Sequence, residues 1–116
     1  MSTLVRVREE RHDGTVVAII EGEMDTASIS EVAVRLRRLV ENQLMRIVID
    51  LTGVSYLDSA GINLLFAVGG DVRARQQELH LVVGPGSPIE RMLQIVGADR
   101  TFPVHASLGE ALAAMP

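Results

Sequence analysis

Arg46-Ile-Val-Ile-Asp-Leu-Thr-Gly-Val-Ser-Tyr-Leu-Asp-Ser-Ala-Gly-Ile-Asn-Leu-Leu-Phe66 carries three signals in succession. Ile47, Val48 and Ile49 are a short β-branched run, the mark of a buried central strand. Asp50 through Tyr56 reads as a polar turn, with Gly53 free to take a dihedral that other residues avoid. Asp58-Ser59-Ala60-Gly61 then precedes Ile62, Leu65, Phe66 and Gly69, spaced i, i+3, i+4, i+7 on one face of a helix. Ser59 therefore stands where a strand's exit becomes a helix N-terminus. Free backbone N–H groups and the positive end of the helix dipole lie there, and they would receive a phosphoryl group carried by Ser59.

The elements on either side are consistent with an α/β domain. Leu4-Val-Arg-Val-Arg8 alternates as a strand with one wet face. Asp13-Gly14 is a hairpin signal, and Val16–Ile20 is the returning strand, antiparallel to the first. The irregular Glu9–His12 stretch leaves its register open. Gly22-Glu-Met-Asp25 closes that strand. Ile29, Val32, Ala33, Leu36, Leu39 and Val40 then form an apolar helical stripe. Its cap is ambiguous: Asp25 and Thr26 are both good N-caps, and Ser28-Ile-Ser-Glu31 fits a capping box.

After the central motif, Gly69-Gly70 falls inside the second helix, at a cost of roughly 1 kcal/mol each against Ala. Either another backbone packs closely there or the helix is soft. Leu79–Val83 is the fourth strand. Ser87-Pro88-Ile89-Glu90 opens a third helix with a serine cap and proline at the first helical position. Its stripe is Ile89, Met92, Leu93 and Val96, and Gly97 closes it. Phe102-Pro-Val-His105 reads as a short edge strand. Ser107-Leu-Gly-Glu110 starts a last helix with Leu108, Ala111 and Leu112 inward. The order β-β-α-β-α-β-α-β-α predicts one domain over residues 1–116. It has a mixed, mostly parallel sheet, an N-terminal antiparallel hairpin and about four helices, with right-handed crossovers.

Composition removes several function classes. At 116 residues with 47% apolar side chains, the chain can bury a real core. Only 3% of residues are aromatic, too few for a base-stacking surface. A net charge of −4 argues against nucleic acid or an anionic membrane as partner. The absence of cysteine excludes disulfides, thiolate metal sites and a cysteine nucleophile. No His/Asp/Glu spacing suggests a metal, and no motif calls for a cofactor. Residues 1–10 lack the apolar core of a signal peptide, and no apolar run reaches membrane-spanning length. A soluble cytoplasmic domain is the expectation.

Three stretches carry a resemblance: Gly22-Glu-Met-Asp25; Val48-Ile-Asp-Leu-Thr-Gly-Val54 with Asp58-Ser-Ala-Gly61; and Ala98-Asp-Arg-Thr-Phe-Pro-Val104. Together they resemble the STAS domain family, and within it the stand-alone bacterial anti-sigma factor antagonists. The resemblance implies a phosphorylation-controlled partner switch with no enzymatic activity of its own. In such a switch an anti-sigma factor that is a GHKL-type serine kinase phosphorylates the antagonist. The unphosphorylated antagonist binds that kinase, a sigma factor is released, and a phosphatase resets the cycle. Ser59 matches the acceptor and Asp58 the residue before it. Many relatives have a second serine where this chain has Ala60.

Asp58, Ser59, Ala60, Gly61, Asp25, Met24 and Leu64 are the candidate partner-binding residues. Simpler roles stand beside these. Asp58 and Ser59 could be helix caps and nothing more, and so could Asp25. Asp50 and Thr52 are expected to stabilise a turn. Leu64, Val68 and Met24 are either core or an exposed apolar patch beside Ser59. A hydrolase nucleophile at Ser59 fails on context, because Leu57 occupies the place where a nucleophile elbow needs glycine. His12, His80 and His105 could each supply a base in principle, but His80 lies within a strand and His105 ends one, so structural or solvent-facing roles are expected of those two. The alternative function is a STAS-type structural or scaffold subunit of a signalling or lipid-transport complex, with Ser59 a silent cap.

Overall fold

The computed structural model describes residues 5–42 and 46–114, with the side chain of residue 42 set aside. The elements are β1 (Val5–His12), β2 (Thr15–Met24), α1 (Ile29–Asn42), β3 (Arg46–Leu57), α2 (Ser59–Ala74), β4 (Glu78–Val82), α3 (Pro88–Val96), α4 (Ala98–Thr101), β5 (Val104–His105) and α5 (Leu108–Ala114). One five-stranded sheet runs in the order β1-β2-β3-β4-β5. The first pair is antiparallel and the other three are parallel. This is the expected architecture with a fifth helix, α4, which sequence periodicity did not reveal because it is a single turn.

Asp13 (φ 49°) and Gly14 (φ 84°) both adopt positive φ, as a type I′ turn requires. That turn locks an unbroken register from His12↔Thr15 to Val5↔Gly22, so Glu9–His12 is strand after all. Val5 and Val7 lean on the core while Arg6 and Arg8 face solvent; Leu4 lies outside the described residues.

The reading of Asp50–Tyr56 as a turn is corrected. β3 continues through it for 12 residues, paired with β2 as far as Met24↔Leu57. Two register shifts, between Ile19 and Glu21 and between Gly22 and Glu23, let the strand pass polar residues without ending. Within it the Asp50 carboxylate accepts hydrogen bonds from the Thr52 N–H at 2.9 Å and hydroxyl at 2.7 Å. Gly53 is required by space, not by a dihedral: a Cβ there would stand 2.9 Å from Glu21 Cγ and 3.3 Å from the Ile20 carbonyl oxygen.

Alternation along the strands creates two cores. One face gives Val16, Ala18, Ile20, Ile47, Ile49 and Leu81 to a large cluster closed by α1, α2, α3 and Phe102. The other gives Val17, Ile19, Val48 and Val82 to a smaller cluster beneath Ala111, Leu108 and Leu112 of α5. On α3 the expected cap is present: the Ser87 hydroxyl accepts the Glu90 N–H at 3.1 Å, and Gly97 closes the helix with φ 80°. Val96, assigned to the buried stripe by spacing, is instead 43% exposed. It is the last helical residue, where the chain turns into α4 and the stripe loses its cover.

The two adjacent glycines of α2 have different causes. A Cβ on Gly69 would collide with the Phe102 ring, itself buried and 5.9 Å from the Phe66 ring centroid. A Cβ on Gly70 would meet open space. It is a side chain, then, and not a backbone, that packs there. Gly69→Ala should destabilise by about 1–3 kcal/mol through overpacking. Gly70→Ala should stabilise by up to about 1 kcal/mol through helix propensity. Urea melts of the two variants should show midpoints moving in opposite directions; a shift of the same sign in both would contradict this packing.

Candidate functional site

The site is assembled where β3 ends and α2 begins, against the loop that leaves β2. The Asp58 N–H donates to the Met24 carbonyl at 3.3 Å, tying the two strand ends together. Asp58 keeps extended dihedrals (φ −108°, ψ −169°), the conformation of an N-cap, and the helix α2 starts after it. Its Oδ1 accepts the N–H groups of Ala60 at 2.9 Å and Gly61 at 3.3 Å. Its Oδ2 accepts the Thr26 N–H at 3.3 Å and lies 3.5 Å from the Thr26 hydroxyl. One carboxylate therefore caps a helix and fastens the β2–α1 loop to it.

That arrangement revises the phosphate-receiving helix end. The amides of Ala60 and Gly61 are already committed to Asp58, and the Ile62 N–H donates to the Asp58 carbonyl at 3.0 Å. An anion on Ser59 would have to compete for them with the carboxylate next to it.

Ser59 is the first residue of α2 and is exposed. Among the described serines, the other hydroxyls are mostly engaged. Ser28 donates to the Glu23 carbonyl at 2.6 Å, Ser55 to the Gly22 carbonyl at 3.3 Å, and Ser87 and Ser107 accept the N–H groups of Glu90 and Glu110. Only Ser30 and Ser59 have hydroxyls with no hydrogen bond to a described residue. Of the two, only Ser59 lies beside Asp58.

Asp25 is half-buried in the loop next to this point, and its Oδ1 accepts the Ser28 N–H at 3.0 Å. This resolves the ambiguous cap: Asp25 closes the turn that leads into α1. Ser28 is folded back onto Glu23 and Asp25 instead of forming a box with Glu31. Neither Asp25 nor Asp58 belongs to an ion pair among the described residues, so the surface around Ser59 carries uncompensated negative charge.

Gly61 is buried because the first turn of α2 sits directly on β2 and β3. A Cβ there would collide with Leu57 Cδ1 and stand 3.0 Å from the Met24 carbonyl oxygen. Ala60 is half-buried beside it. Met24 and Leu64 are corrected as surface candidates: they are 0% and 8% exposed, and they belong with Val68 to the main core. The exposed apolar patch beside Ser59 is therefore absent at these positions.

Tyr56, passed over in the sequence as part of a turn, is half exposed and pairs with Glu23 on the strand that leads into the site. The available signal was its place next to Leu57: once the segment is a strand, burial of Leu57 sends Tyr56 outward. The histidines stand elsewhere. His12 contacts Glu10 at 3.1 Å, and His80 Nδ1 lies 2.8 Å from His105 Nε2. Among the described residues no group of three or more His, Asp or Glu side chains could hold a metal ion. No described helix is long and apolar enough to cross a membrane.

The geometry can be set beside known proteins. A family model described as the STAS domain matches residues 6–111. The chain is 31% identical over 101 residues to the anti-sigma-F factor antagonist RsfB of Mycobacterium tuberculosis, covering 87% of this chain and 81% of that one. It is 29% identical over 104 residues to the anti-sigma-B factor antagonist of Listeria monocytogenes, covering 88% and 89%. Among solved structures, an anti-sigma factor antagonist from Mycobacterium paratuberculosis superposes with a TM-score of 0.85 at 27% identity, over 95% of this chain and 92% of the other.

Proposed function

The chain belongs to the STAS domain family, and on that premise we propose that it is a cytoplasmic anti-sigma factor antagonist whose switch is phosphorylation of Ser59. Family membership makes it a regulatory protein and not an enzyme. Unphosphorylated, it binds an anti-sigma factor serine kinase of GHKL type through the surface around Ser59 and so frees a sigma factor. Phosphorylated, it lets the kinase go, and a phosphatase restores it.

The observation that supports this reading is the state of the Ser59 hydroxyl: exposed, without a hydrogen bond to a described residue, and placed at the start of a helix capped by Asp58. A phosphoacceptor must be reachable and must not be needed by the fold, and Ser28, Ser55, Ser87 and Ser107 each fail the second condition. The cap that Ser59 might have supplied is supplied by Asp58. The interface residues in this proposal are Ser59, Asp58, Ala60 and Asp25, with Gly61 setting the approach of α2 and Tyr56 added as an aromatic anchor at the rim.

Incubation of the purified chain with its cognate anti-sigma factor kinase and ATP tests the proposal. One phosphate should be incorporated. Ser59→Ala should abolish incorporation and keep the circular dichroism spectrum and melting behaviour of the parent, because that hydroxyl supports no contact. Phosphopeptides mapping to Ser28, Ser30, Ser55 or Ser87 would refute the assignment.

A further inference from the structure

The C-terminal edge of the sheet is built from short elements. β5 is two residues long and α5 seven. The backbone contributes Leu81 N–H to the Pro103 carbonyl at 2.9 Å and Val83 N–H to the His105 carbonyl at 3.0 Å. α5 adds Leu108, Ala111 and Leu112 against the smaller core. Val104 packs against the main core, and a further link joins side chains: His80 Nδ1 to His105 Nε2 at 2.8 Å, with nearly parallel rings whose centroids are 5.0 Å apart. His80 is buried, 7% exposed, in the strand that β5 pairs with.

We propose that the His80–His105 pair is an acid-sensitive clasp, which holds β5 and α5 on the sheet at neutral pH and releases them when both rings are protonated. An N–H···N bond between imidazoles needs one nitrogen with a free lone pair. It survives a first proton but not a second, which sets two cations 2.8 Å apart at a part-buried site.

The groups facing the pair set the threshold. On β4 itself, Glu78 lies 3.5 Å from His80 Nε2 and favours a cation. From β3, Arg46 lies across from Glu78 and disfavours one; Val48 lies across from His80 and is neutral; Asp50 lies across from Val82, with Oδ1 engaged by Thr52. From α5, Glu110 accepts the Ala106 N–H at 3.4 Å, and the other groups turned to the sheet are apolar. Burial, and after it the charge of His105, hold His80 below its ordinary value of 6.5 despite Glu78. A histidine with a lowered folded pKa favours the folded state fully above the unfolded value. That advantage is lost as pH falls from about 6.5 towards the lowered value. Release therefore belongs to mild acid, not to alkali.

Hydrogen exchange of the full chain, read by mass spectrometry and corrected for intrinsic rates, tests the clasp between about pH 7.5 and about pH 5. Protection of residues 104–114 should fall about tenfold or more as the pair takes its second proton, while residues 47–51 stay within about twofold. In His105→Gln, which removes one of the two cations, protection of residues 104–114 should change less than about threefold over the same range. Unchanged protection of residues 104–114 in the parent chain overturns the proposal. So does an equal pH dependence in His105→Gln, or a loss that spreads equally to residues 47–51. A proton NMR titration of the parent chain and of His105→Gln reads the pair directly. The His80 ring should titrate below its ordinary value, and its resonances should shift in His105→Gln; titration of His80 at its ordinary value in both chains would also overturn it.

Discussion

Phosphorylated on Ser59, the chain should bind its anti-sigma factor more than tenfold more weakly than the unmodified chain, yet unfold at nearly the same urea concentration. The binding half follows from the proposal that Ser59 is central to the interface. A small neutral hydroxyl, exposed and uncommitted, would be replaced by a group carrying about −2 of charge. That charge would have to be desolvated against a partner surface shaped for the hydroxyl, beside Asp58 and Asp25. Loss of fit at one hot-spot position costs about 2 kcal/mol or more, which exceeds tenfold in affinity.

The stability half follows from the cap. An anion at a helix N-terminus gains about 0.3–1 kcal/mol, but here the Ala60 and Gly61 amides already bind Asp58 Oδ1, and two like charges become neighbours. The two effects oppose each other and the net change stays small. Ser59→Asp, with less charge and another shape, should weaken binding less than phosphate does. Titration calorimetry of the unmodified, Ser59→Asp and phosphorylated chains against the anti-sigma factor measures all three; equal affinities would remove the switch.

The largest stability losses are expected at Ile49 and Leu65. Ile49→Ala and Leu65→Ala should each destabilise the chain by about 2–5 kcal/mol in urea melts, as truncations in a packed core do. Ile49 is 0% exposed, lies between Ala18 and Leu81 in the centre of the sheet, and faces the layer of α1, α2 and α3. Leu65, 1% exposed, is the helical side of the same core. Arg37, exposed on α1, should lose no more than about 0.5 kcal/mol when changed to Ala. An Arg37→Ala loss greater than either core variant's would contradict the orientation of α1 described above.

Much of this molecule is legible residue by residue. The Asp13-Gly14 turn, the Ser87-Pro88-Glu90 start, the Gly97 stop and the Ser107-Glu110 start all occur as expected, because each depends on dihedral preferences and hydrogen bonds within about four residues. The apolar stripe of α1 and the buried run Ile47–Ile49 are legible for a related reason: helix and strand periods allot faces before any neighbour is known. The position of Ser59 at the head of α2 was likewise contained in the sequence.

What needed the tertiary structure depends on residues distant in the chain. Asp50–Tyr56 looks like a turn until β2, about thirty residues earlier, pairs with it through two register shifts. Asp58 has the features of a cap, and its first oxygen takes the Ala60 and Gly61 amides as a cap does, but that its second oxygen holds Thr26 depends on where the β2–α1 loop lies. Met24 and Leu64 are apolar in any reading, and only packing decides that they are core and not contact surface. Gly69 is set by a ring 33 positions away, and His80 by a second imidazole on the edge strand. Sequence determined most of the elements and the place of Ser59 at the head of α2 because those obey local rules. The tertiary structure decided which groups are spent and which remain free, because a hydrogen bond or a packed face is used up only when its distant partner arrives.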